Sequence, residues 1–205
     1  MWDLYYEETY HNVKNGVHNH EFQHLIDWIK SEFDIVVYNV IYDTMRFKDK
    51  TLLNIILKRE DDQEEFHKKV GVEENSKVTS YFESYYRDSD KYNSQGIHVD
   101  TETFESAYKF RLSKNLGLAK DYLIKKYSEI WHIDLFIYTF FTFTYKDEQI
   151  EQFKQQINEL SEQIYEILKP FDEFNFLEIS DIKIHLDSKE NFDRNYDGNW
   201  LRYFN

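Results

Sequence analysis

Asp34-Ile35-Val36-Val37-Tyr38-Asn39-Val40-Ile41-Tyr42 concentrates β-branched and aromatic residues, and Thr51-Leu52-Leu53-Asn54-Ile55-Ile56-Leu57-Lys58 follows after a polar stretch. Both runs read as strands, because such side chains suit a pleated, half-buried surface. Polar residues 46–50 between them predict an antiparallel hairpin. Just upstream, Phe22, Leu25, Ile26, Ile29 and Phe33 recur at helical spacing, so a helix is expected from His20 to about Phe33, with Asn19 as its cap. A helix feeding a hairpin sets the class: α+β, with a mostly antiparallel central sheet and helices packed on it.

Working outward, residues 60–77 suit a short, highly charged helix. From Val78 to Val99 the chain is polar and rich in Ser and Tyr. There Tyr81, Phe82, Tyr85 and Tyr86 suggest a helical stripe, and Asp88 to Gly96 a loop. Helices are expected over 102–114 and 118–130, parted at Asn115-Leu116-Gly117. His132 to Tyr145 reads as a strand, Asp147 to Leu168 as one long helix ending at Pro170, and residues near 176–186 as a last strand. In the long helix Ile150, Phe153, Ile157, Leu160, Ile164, Ile167 and Phe171 alternate spacings of three and four. That register suits a coiled coil, but paired flanking charges are missing, so the helix is expected on its own sheet rather than in a dimer seam. Asp34-Ile-Val-Val-Tyr returns as Asp134-Leu-Phe-Ile-Tyr, each after a Ser-Glu pair (Ser31-Glu32, Ser128-Glu129), a weak internal αβ duplication.

One Pro and five Gly among 205 residues leave nothing resembling a linker, which predicts one α+β domain over residues 1–205. Cysteine is absent, excluding disulfides, thiolate metal sites and Cys nucleophiles. Met1-Trp2-Asp3-Leu4 opens with neither a basic nor an apolar leader, and the longest apolar stretch, Leu135 to Phe143, is interrupted by Thr139 and Thr142. A cytoplasmic chain without a membrane span is expected. The net charge of −14 repels phosphate backbones and favours basic partners. Residues 109–126 run the other way, with Lys109, Arg111, Lys114, Lys120, Lys125 and Lys126 against Asp121, and read as a solvated helix face.

Chemistry is concentrated in His20-Glu21-Phe22-Gln23-His24, an H-E-x-x-H. On a helix the two imidazoles lie one turn apart and share a zinc ion while the Glu activates its water. The stretch resembles zincin metalloproteases in those five residues. It departs from the extended metzincin pattern, with Asp27 in place of Gly and Lys30 in place of the third His. A third ligand is not dictated; Glu64, Glu102 and Glu105 are the candidates. Near the chain's end Asp193, Asn195 and Asp197 with Gly198 open a calcium-type loop, but Phe204 stands where a bidentate Glu belongs. His132 and Asp134 share a pleat face. No phosphate-cradling glycine motif and no nucleophile elbow occur.

Tyr196, Trp200, Tyr203 and Phe204 crowd an acidic tail, where such rings either anchor a partner or fold back over the sheet. The Ser/Tyr-rich region 79–96 offers a second surface of that kind. Together these features predict a non-enzymatic acidic interaction protein of the inhibitor or immunity type. It would bind a basic protein, as monomer or homodimer, with no cofactor and no general nucleic-acid binding. The alternative is a zinc-dependent hydrolase with His20 and His24 as ligands and Glu21 as base.

Overall fold

A computed structural model describes residues 2–17, 21–47, 50–71, 76–92 and 96–204. The chain is α+β and divides into two compact units, Met1–Tyr108 and Lys109–Asn205. Each holds a three-stranded mixed sheet, so the expected central sheet is in fact two sheets, each pairing one antiparallel neighbour and one parallel neighbour.

In the first unit α1 (Trp2–Asn15) and α2 (Gln23–Phe33) precede β1 (Val37–Phe47) and β2 (Lys50–Leu57). Then come α3 (Glu60–Lys69), α4 (Lys77–Tyr85) and β3 (Ile97–Thr103), and α5 (Phe104–Leu112) crosses the boundary between the units. Helix α2 begins three residues later than the apolar stripe suggests, because Glu21 and Phe22 form a turn. It ends at Asp34, whose left-handed backbone (φ 59°) lets its N–H bond Lys30 O. The strand therefore starts at Val37 rather than Asp34. Leu25, Ile29, Val40, Leu53, Ile55, Phe66, Val78 and Phe82 fill the core between the sheet and helices α2 to α4. Alternation sends Asn39 to the other face, under α1, where its amide donates to Thr9 Oγ1 at 3.1 Å. Ser76 caps α4 by accepting from Thr79 N.

The second unit runs α6 (Leu116–Lys126), β4 (Ile130–Phe136), β5 (Thr139–Thr144), α7 (Asp147–Gln155), α8 (Ile157–Leu168), β6 (Lys183–Ser188), α9 (Lys189–Tyr196) and α10 (Trp200–Tyr203). The single strand expected over 132–145 is a hairpin, turning at Ile137 with φ 49°. A β-branched residue rarely adopts that backbone, so no turn signal marked it. The long helix breaks at Gln156 (φ −105°, ψ 4°), which interrupts the heptad register. Phe153, Leu160, Ile164 and Leu168 are buried within this unit, with Ile133 and Phe140 of the sheet.

The two units repeat one plan: helix, antiparallel hairpin, two helices, a third strand parallel to the second, helix. The correspondence extends to single bonds. Lys58 N bonds Val36 O in one unit and Tyr145 N bonds Glu129 O in the other. Both first strands bulge by one aromatic residue, Tyr38 and Trp131. In each, the carboxylate at the second residue of the helix after the last strand accepts from the first N–H of the helix after the hairpin: Glu105 from Glu60 N at 3.2 Å, Glu190 from Asp147 N at 3.0 Å. By register Val37 matches Ile130, 93 residues on, so the Asp34/Asp134 likeness pairs residues that are not equivalent. Ser128-Glu129 lies in a turn, not in a helix.

Candidate functional site

Four rings stack along the outer surface of α2 and α4. His24 and Trp28 are one turn apart on α2, and Tyr81 and Tyr85 one turn apart on α4, so each pair shares a face. Trp28 stacks on Tyr81 at 4.2 Å and His24 on Tyr85 at 4.1 Å. Tyr81 and Tyr85 lie nearly parallel, 5.9 Å apart, and the Tyr81 hydroxyl is hydrogen-bonded to His24 Nδ1. Beneath the column Phe82 is fully buried and touches Phe22, Tyr42, Tyr86 and Tyr92, fixing α4 against α2. The inner residues hold the outer ones in place. Tyr85 remains 52% exposed.

Glu21 binds the following loop to this face. Its carboxylate meets Lys91 Nζ at 2.5 Å and accepts from the Tyr92 hydroxyl, while Tyr86 donates to its backbone oxygen at 3.3 Å. Burial, then Tyr85 and Asp27, raises the Tyr81 pKa; burial, then Tyr85, Tyr81 and Glu21, pushes Tyr86 up to about 12. Both phenols are therefore neutral hydrogen-bonding groups at ordinary pH.

Of the H-E-x-x-H stretch, Glu21 and His24 make the contacts given above. His20 lies outside the described residues, Glu21 precedes the helix as a clamp, and His24 is a rung of the column. Glu64 pairs with Lys68, Glu102 accepts from Asn54, and Glu105 accepts from Glu60 N. Among the described residues no three His, Cys, Asp or Glu side chains group to hold a metal ion.

Asp193 and Asn195 fall on helix α9, and Asp197 ends it in a left-handed turn. A helix spreads side chains two apart by about 200°, whereas a calcium loop converges them. Asp193 pairs with Lys189, Asn195 donates to Asn191, and Asp197 pairs with Arg202.

The aromatic tail folds back over the second sheet. Trp200 lies on Phe192 at 4.2 Å, His132 at 5.1 Å and Phe143 at 5.2 Å. Tyr203 meets Phe143 and Tyr196, and Phe204 meets Phe141. Burial foremost, then a hydrogen bond with Asp187, raises the Tyr203 pKa. His132 is lowered, by burial first and then by Lys120, against the pull of Asp134. Asp134 itself accepts from Leu135 N, and His132 lies under Trp200 of the tail.

The geometry joins two sequence candidates, H-E-x-x-H and the Ser/Tyr-rich region, into one exposed aromatic face. Trp28 was missed as a site residue, although the His24/Trp28 spacing of four was open to reading. No protein-family model, curated protein or solved structure matches the chain.

Proposed function

We propose that this chain is a non-enzymatic binding protein, acting in the cytoplasm, that takes a basic protein on the aromatic face of α2 and α4 and neutralises it as an inhibitor or immunity protein does. The observation that carries the reading is the stacked, part-exposed column of Trp28, His24, Tyr81 and Tyr85 on a chain of net charge −14. Tyr and Trp are the usual energetic anchors of interfaces, and rings held in place by a buried neighbour lose little freedom on binding. Their faces also attract Lys and Arg side chains, which acidic surroundings concentrate. The absence of cysteine suits a reducing compartment. Among the described residues no helix is long and apolar enough to cross a membrane.

The experiment is affinity capture of host proteins on the wild-type chain beside Tyr85→Ala. Basic proteins captured by the first, released by salt and lost from the second support the reading. A capture with no bias toward basic proteins, or one that Tyr85→Ala leaves intact, overturns it.

A further inference from the structure

The repeat places a second outward ridge where the column stands in the first unit. Helix α2 buries Phe22, Leu25 and Ile29, and the chain around α6 buries Leu116, Ala119 and Leu123 with the same spacing. Matched by buried side chains, which sets α6 one residue off the 93-residue spacing of the strands, His24 and Trp28 correspond to Leu118 and Tyr122. Leu118 is 50% and Tyr122 42% exposed. At 100° per residue Leu118, Tyr122 and Lys125 of α6 fall on one stripe, opposite the buried side, and Lys114 stands in the 3₁₀ turn over 113–115 just before the helix. Lys109 is held by Asp181, but Lys114 and Lys125 make no ion pair among the described residues.

The ridge therefore carries two apolar side chains between two unpaired cations. It lies in a segment with six Lys and Arg against one Asp, whereas the first unit holds 22 acids and 12 bases. We propose that the ridge of α6 docks on the aromatic column of a second copy of this chain. Lys114 and Lys125 reach the ring faces and the acid at their rim, Asp27 among them, and Leu118 and Tyr122 cover the rings. This rests on the column being a docking face and names as its occupant the basic ridge of a second copy, whose chain as a whole is acidic. The two faces differ, so the contact is heterologous: it leaves one free face of each kind and builds chains or rings rather than a two-fold dimer.

The test is sedimentation velocity on the full chain over a concentration series. The wild type is expected to grow in size with concentration. Association should weaken about tenfold as salt shortens the Debye length from roughly 30 Å toward 3 Å. Tyr85→Lys removes an exposed ring and sets a cation against the incoming lysines; Lys114→Glu with Lys125→Glu reverses the ridge. Each variant alone should be monomeric, with an unchanged circular dichroism spectrum. Mixed, they should form a 1:1 heterodimer and nothing larger, since only one intact column and one intact ridge remain. A wild type that stays monomeric at every concentration, a variant that still assembles alone, or a mixture without heterodimer overturns the proposal. Capture of other basic proteins that Tyr85→Lys abolishes and the ridge variant retains would leave the column reading standing after such a failure; loss of neither would remove both.

Discussion

Phe82 and Tyr85 are one turn apart on α4, yet their replacement by alanine should have opposite consequences. Phe82 is fully buried and packs on four aromatic rings, the nearest, Tyr86, at 4.4 Å. Its removal leaves a cavity bounded by large rings that cannot collapse into it, which costs about 3–5 kcal/mol. Tyr85 is 52% exposed, so about half of its burial term of roughly 1.5–3 kcal/mol is present in the folded chain. Its stacking on His24 adds about 0.5–1.5 kcal/mol, giving a loss of about 1–3 kcal/mol. Urea titration followed by tryptophan fluorescence measures both, with m values compared to detect a change in the surface exposed on unfolding. Tyr85→Ala should remain folded and lose partner capture, while Phe82→Ala should move the midpoint far more. Equal losses would refute the division of the cluster into a supporting inner layer and a presented outer one.

Ile137 turns the β4–β5 hairpin at φ 49°, a backbone that costs a β-branched residue about 1–2 kcal/mol. Ile137→Gly should therefore stabilise the chain by about 1 kcal/mol after glycine's own entropy is counted, read as a rise in the thermal midpoint. The raised Tyr86 pKa means that the unfolded chain loses its phenolic proton first, so this residue's contribution to stability should fall as pH rises from 10 toward about 12. Thermal melts across that interval should show a smaller loss in Tyr86→Phe. Elemental analysis after zinc loading and dialysis should find no stoichiometric metal that His24→Ala removes; one zinc per chain lost in that variant would favour the hydrolase reading.

Legibility in the sequence followed the physics of each element. Helix α2 was visible from its apolar period of 3.6, and the two strands of the first hairpin from their runs of β-branched, aliphatic and aromatic residues. Strand β3 was hidden although Ile97, Val99, Thr101 and Thr103 alternate inward, because Asp100 and Glu102 between them gave the segment the look of a polar loop. Its partner β2 lies 40 residues back, and parallel pairing leaves no local turn signal. The tail was recognised as aromatic, but only the position of Phe143 and His132 on the outer face of β4 and β5 decides that it covers the sheet. Glu21 and His24 were singled out for a spacing that requires a helix, and the turn at Glu21-Phe22 removes the Glu from it. The column itself needed α2 and α4 side by side, a juxtaposition that 57 residues of separation between His24 and Tyr81 conceal.

The central claim is that the α2–α4 face binds a basic protein through its exposed rings. Its most direct test is isothermal titration of the captured basic partner into the wild-type chain and into Tyr85→Ala at low and high salt. Binding should weaken with salt in the wild type and fall by about tenfold or more in the variant, as loss of a hot-spot ring requires. Equal affinity for both chains, or affinity indifferent to salt, would contradict it.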